Sequence, residues 1–207
     1  MPQAPVSLPT RRPVRAAAPV AVVLAVLGLG LFGQGVWIHA KAILAQMLLE
    51  RAFAETLATG QDVKPWPWAD TWPVARIELP RLGRSAVVLH GSSGQALAFG
   101  PGQIEGTPEA GEAGTAVYAA HRDTHFAFLA EARTGDEIRV TRRDGAAFRF
   151  RVTRLSVVRR DASGIDPFAR GRRLALATCW PLDAKTAGPW RYVVEAEVVE
   201  GMSESAP

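Results

Sequence analysis

RRLALATCWPLDAKTAGPWRYVVEAEVV, residues 172–199, is the stretch whose reading decides the fold of this chain. Two short apolar runs rich in Leu, Val, Ala and Tyr flank a connection punctuated by Trp180-Pro181 and Gly188-Pro189, the pattern of two strands joined by a loop. The first run, RRLALAT, ends against Cys179, and the second, RYVVEAEVV, opens with Arg191. Further strands are expected at VARIEL (74–79), SAVVLH (85–90), GTAVYAA (114–120), DEIRVTR (136–142) and AFRFRVTRLSVV (147–158). In the last of these, Phe148, Phe150 and Val152 alternate with Arg149, Arg151 and Thr153, giving a strand with one buried face. Asp144-Gly145 marks a tight hairpin before it. Helical patterns are brief, near 94–99 and 125–132, so the domain reads as all-β, a sandwich or a barrel with two or three helical turns. Periodicity does not separate the two.

Upstream lies a different solvent. Residues 16–38, AAAPVAVVLAVLGLGLFGQGVWI, carry no charged side chain, and about 20 such residues cross the bilayer core as a helix. Arg11, Arg12 and Arg15 precede the run, which orients residues 1–15 to the cytoplasm and delivers everything after residue 40 across the membrane. Trp37 fits the interfacial aromatic belt. A cleaved signal peptide is the alternative, with Ala40-Lys41-Ala42 as its A-x-A site, although its apolar core would be shorter than this one. Ile43, Leu44, Met47, Leu48, Phe53 and Leu57 recur near helical spacing and predict a stalk. Three prolines in GQDVKPWPWADTWP (60–73) end it. Trp66, Trp68 and Trp72 are expected to strap this linker onto the domain. The folded domain is set at 74–199, with a tail at 200–207.

Basic residues exceed acidic ones by 24 − 20 = 4. They come as scattered pairs, Arg142-Arg143, Arg159-Arg160 and Arg172-Arg173, which read as solvated strand ends. No concentrated basic stripe interleaved with aromatics points to nucleic acid. The single cysteine excludes an intrachain disulfide and a multi-cysteine zinc site. Glu105, Glu109 and Glu112 form too weak a carboxylate cluster for a calcium site, and no metal or cofactor is expected.

Three residues could carry chemistry. Cys179 sits where a buried strand meets a proline-stopped loop, a rim position at which a thiolate could be exposed; taken alone, a single cysteine reads first as a small core hydrophobe. His121 ends another strand in AAHRDTHF. His125, four residues on, reads as structural or substrate-side, while His90 is an outside candidate and His39 lies too near the apolar segment. Arg191 opens the last strand with a fork of donors that stays charged and can hold an oxyanion.

Together these residues resemble the sortase family. Ala175-Leu176-Ala177-Thr178-Cys179 is similar to its TLxTC motif, Arg191 follows by 12 positions, His121 precedes by 58, and Gly100-Pro101 and Gly114–Asp123 are similar to the region before its histidine. Ala175 and Ala120 depart from the Thr and Gly often found there, at positions whose side chains transfer no proton. HRDTHF and the tryptophan-rich linker look most like the sortases of Gram-negative proteobacteria. The resemblance implies a closed β-barrel and a membrane-anchored cysteine transpeptidase facing the periplasm. It implies Cys179, His121 and Arg191 as catalytic residues, and Ala177, Thr178 and His125 on the substrate side. It further implies a protein bearing an LPxTG-like sorting signal and an amine acceptor as partners.

Overall fold

The computed structural model describes residues 17–184, 186, 188–199 and 204–205, with backbone alone at 17–18 and 204–205. The expected cytoplasmic tail at 1–15 and most of the tail at 200–207 lie outside these residues. Two compact units make up the chain, Met1–Ile43 and Leu44–Pro207.

Helix α1 spans Ala17–Thr59 without interruption, so the apolar run and the expected stalk are one element. Its first part is long and apolar enough to cross a membrane, with a mean hydropathy of 2.0 and no buried side chains in that window. It is a candidate membrane anchor. Lys41 lies 5.6 Å over the Trp37 ring at the end of the apolar run, a pairing suited to an interface that is apolar on one side and wet on the other. From Leu44 onward α1 belongs to the second unit. Leu49 and Phe53 pack there against Val87, Leu89 and Ala96, and the Gln46 side chain donates to the Phe99 carbonyl at 2.8 Å.

Nine strands follow: β1 Pro73–Leu79, β2 Arg84–Leu89, β3 Gly102–Gln103, β4 Gly114–Ala119, β5 Glu137–Arg142, β6 Ala146–Arg159, β7 Arg172–Cys179, β8 Trp190–Val198 and β9 Glu204–Ser205. They form one sheet ordered β5-β1-β2-β3-β4-β7-β8-β6-β9, and β5 also pairs with β6. That pairing joins the ends of the sheet, so eight strands close into a barrel, with β9 added against β6. The expected all-β fold is therefore a closed barrel and not a sandwich. Helix α2, Gly94–Phe99, and a 3-10 turn at Ala127–Glu131 stand where brief helical patterns were expected.

The core fills the barrel because alternate residues of every strand point inward. Ala116, Tyr118 and Ala120 around β4, Leu174 and Leu176 of β7, and Val194 and Ala196 of β8 meet Ile77, Phe126, Leu129, Ile138 and Phe150 there, all buried. The opposite face of β4, β7 and β8 has a cover of its own: Val117, Ala175 and Val193 lie under Ile104, Val158 and Ile165. Ile165 comes from the β6–β7 connection, residues 160–171. This connection is pressed against the start of β4, where a Cβ on Gly114 (φ +113°) would lie 2.2 Å from the Pro167 carbonyl oxygen. A side chain at residue 114 would push the two apart.

The Asp-Gly hairpin forms as expected between β5 and β6, with Gly145 at φ +83° and Asp144 Oδ1 accepting from the Ala146 amide at 3.1 Å. Arg159-Arg160 and Arg172-Arg173 are exposed, as expected of solvated strand ends, and the pair Arg142-Arg143 departs from that role. Arg142 is not a solvated strand end: its side chain is 15% exposed and pairs with Glu109, Glu112 and Asp144. Arg143 bridges to Asp62 in the linker at 2.6 Å. Other arginines alternate with glutamates across neighbouring strands in the register Glu137, Arg151, Glu197, Arg173, an arrangement that favours pairing over repulsion. The linker tryptophans divide: Trp66 packs edge-on to Phe99 at 4.8 Å, Trp72 stacks on His90 at 4.1 Å, and Trp68 is 79% exposed.

Candidate active site

Strand parity brings three separate side chains to one place. On β7, Ala175 and Ala177 lie on the face away from the core, so Cys179, two residues further, lies on that face too. It is half-buried and unbridged, outside the core. On β8, Val193 belongs to the same outer face, and Arg191 precedes it by two. Cys179 and Arg191 are directly paired across the antiparallel β7–β8 ladder, where opposed Cα atoms lie about 5 Å apart.

β4 runs parallel to β7, with Val117 opposite Ala175 and Ala119 opposite Ala177. The ladder extends one step further, the Ala120 amide donating to the Ala177 carbonyl at 3.2 Å. Continuing the register sets His121 beside Cys179, with the parity of outward-facing Val117. His121 is exposed. Because β4 and β7 run the same way, both leave the barrel at one rim, and β8 enters there. Cys179 and Arg191 thus meet at one end of a shared face with half-buried Ala177 beside them, and the register continued through Ala120 sets His121 at the same end, while Ala175 lies further along under Ile104, Val158 and Ile165.

Thr178 alternates inward. It is 2% exposed, and its hydroxyl donates to the Ala120 carbonyl at 2.8 Å, tying the residue before His121 to the residue before Cys179. Expected on the substrate side, it instead sits beneath that face as a tie between strands. Ala177 lies on the outer face, half-buried. His125 is half-buried, near the Ala98 carbonyl of α2. Its pKa lies below the ordinary histidine value, first because burial penalises the imidazolium and further because His121 is close; the Ala98 carbonyl opposes the shift. His90 is engaged by Trp72 and directly follows β2, which is separated from β7 by β3 and β4. His39 bonds its own helix, at the Gly35 carbonyl.

Arg191 is half-buried, and its Nη1 donates to the carbonyls of Gly188 and Trp190, both at 2.9 Å. The guanidinium is thereby anchored on one side. Trp180 stacks on Tyr192 at 5.6 Å on the opposite parity, bracing the base of the β7–β8 connection.

One site residue has no counterpart among those expected. Arg122 is buried, and its Nη2 donates to the Thr186 carbonyl at 2.7 Å, crossing from the segment after β4 to the β7–β8 connection. Its position next to His121 was the one available signal, and an arginine in HRDTHF reads like any other polar loop residue.

The carboxylates nearest to a cation site are already occupied. Glu109 and Glu112 both pair with Arg142, and no group of three His, Cys, Asp or Glu among the described residues has the arrangement of a metal site.

Comparison with known proteins bears on the fold. The family model for the sortase domain matches residues 77–199, more than half of the chain. Among solved structures the chain is similar to sortase E from Streptomyces avermitilis, at 30% identity and a TM-score of 0.53, covering 62% of this chain and 88% of that one. It is similar to sortase A from Corynebacterium diphtheriae at 23% identity and a TM-score of 0.58, covering 65% of this chain and 64% of that one. Similarity to the sortase D5 transpeptidase of Clostridium perfringens is 21% in identity with a TM-score of 0.57, over 75% and 96% of the two chains. The chain thus spans under two thirds of the Corynebacterium protein. No curated protein sequence matches it. With the barrel, the strand order and the domain match in agreement, the chain belongs to the sortase family.

Proposed function

We propose that the protein is a membrane-anchored cysteine transpeptidase that cuts an LPxTG-like sorting signal and passes the acyl part to an amine. The observation that carries this reading is the shared face: Cys179 and Arg191 are register partners, and His121 follows from the strand beside them.

In the first half-reaction the Cys179 thiolate attacks the carbonyl carbon preceding the glycine of the signal. The developing oxyanion is held by the Arg191 fork, whose backbone anchors remove the need to reorganise during the reaction. The C–N bond then breaks, and the His121 imidazolium gives its proton to the departing amine, leaving a thioester on Cys179 and neutral His121. In the second half-reaction an acceptor amine attacks the thioester, His121 takes its proton, and the C–S bond breaks to restore thiolate and imidazolium. The small side chain of half-buried Ala177 leaves room for the peptide beside Cys179. Thr178 serves by holding the strand ends together. The apolar part of α1 anchors the chain in the inner membrane, and the arginines before it keep residues 1–15 cytoplasmic and the barrel periplasmic.

The test is incubation of the full chain in detergent with an LPxTG peptide, followed by mass analysis. An acyl adduct on Cys179, absent in Cys179→Ala, and a ligated product on adding an amine are expected. Free acid alone, with the amine present, would identify a protease. Absence of any adduct would identify a non-catalytic anchored β domain.

A further inference from the structure

Arg122 follows His121, is 9% exposed, and has no hydrogen-bond partner for its Nη1 among the described residues. The contact that holds it is Nη2 to the Thr186 carbonyl. A buried guanidinium whose one acceptor among the described residues is a neutral carbonyl is costly, and replacing such a charge by an apolar side chain of similar volume is often neutral or stabilising. Stability therefore does not explain it. What the contact does is geometric, because it joins the residue after His121 to the connection between Cys179 and Arg191.

That connection is gripped at its far end by Arg191, through the carbonyls of Gly188 and Trp190. A bond from a charged donor to a backbone carbonyl is short and directional. Two guanidinium groups thus fix the backbone at Thr186, Gly188 and Trp190, one from the histidine side and one from the arginine side.

Resting on the proposed function, we infer that Arg122 is a positioning residue for the transpeptidation, coupling the placement of His121 to that of the Arg191 fork through the β7–β8 connection. It touches no reacting atom. Its loss loosens the aim of Arg191 at the oxyanion without emptying the peptide groove.

The test compares wild type, Arg122→Met and Arg122→Lys as full chains in detergent, measuring acylation of Cys179 by an LPxTG peptide, the melting temperature, and amide hydrogen exchange over residues 180–190. In Arg122→Met, kcat should fall about tenfold or more, since small misplacements in an active site are costly. KM should stay within about twofold, the melting temperature should be at or above that of wild type, and exchange over 180–190 should accelerate. Arg122→Lys should recover part of kcat, because an ammonium can still donate to Thr186. Wild-type kcat in Arg122→Met would overturn the inference, as would a fall in kcat that tracks a fall in melting temperature and is not relieved by lysine. A wild type that is never acylated would overturn the proposed function and this inference with it, and is distinguished by failing before any variant is compared.

Discussion

Thr178 and Cys179 are consecutive, and strand alternation gives them opposite duties: one hydroxyl locks two strand ends from below while one thiol stands on the open face. Arg191 works through fork geometry, so Arg191→Lys should lower the acylation rate by about 10²-fold, with peptide KM changing little; near-normal turnover would reduce Arg191 to a structural anchor. His125 carries a pH signature. Its pKa is depressed, chiefly by burial, so protonation favours the unfolded chain. Its contribution to stability is complete above the ordinary value of 6.5 and is lost as pH falls below it. His125→Gln should flatten that part of the melting-temperature profile between about pH 7.5 and 5.5, and an unchanged profile would mean His125 is not the group responsible. That His121, Cys179 and Arg191 each sit where an apolar run meets turn residues was legible in the sequence, and their grouping as one site rested on the resemblance to the sortase family. Their shared face was not, since parity acquires meaning only once Ala177 is known to lie between Ala119 and Val193. Arg122 was illegible for the same reason: its partner Thr186 lies 64 residues away.

Among elements, seven strands could be read from alternation and turn chemistry, whereas β3 could not. Two residues carry no period, and Gly102–Gln103 exists as a strand through its pairing with β2 and β4. The connection between β3 and β4 holds Glu109 and Glu112, whose charges are met by Arg142 from β5. A permanent internal cation thus does there what a bound ion would do, and a chelator should leave turnover and melting temperature unchanged. A drop that calcium restores would contradict this. The docked half of α1 is equally specific. Phe53 is 2% exposed, packs beside Leu49 and Val87, and has the Arg76 guanidinium 5.3 Å from its ring. Phe53→Ala should cost about 3 kcal/mol in unfolding experiments, and a loss below about 0.5 kcal/mol would mean that the helix contributes nothing to the fold.

At the scale of the whole molecule, the sequence pattern stopped short of closure: sandwich and barrel share the same strands and differ in whether β5 meets β6. That meeting depends on sheet twist and on pairings between residues distant along the chain, which no local period encodes. The candidate anchor, by contrast, needed no tertiary information, because the bilayer selects on length and apolarity. The full chain should stay with membranes through alkaline extraction and should be cut by protease added to the periplasmic side; release into the soluble fraction would favour signal-peptide cleavage. Because β4 and β7 point the same way, the connection 160–171 meets β4 where that strand begins, while Cys179 and Arg191 stand at the rim where β7 ends, so this cover can change at one end of the barrel without disturbing the other.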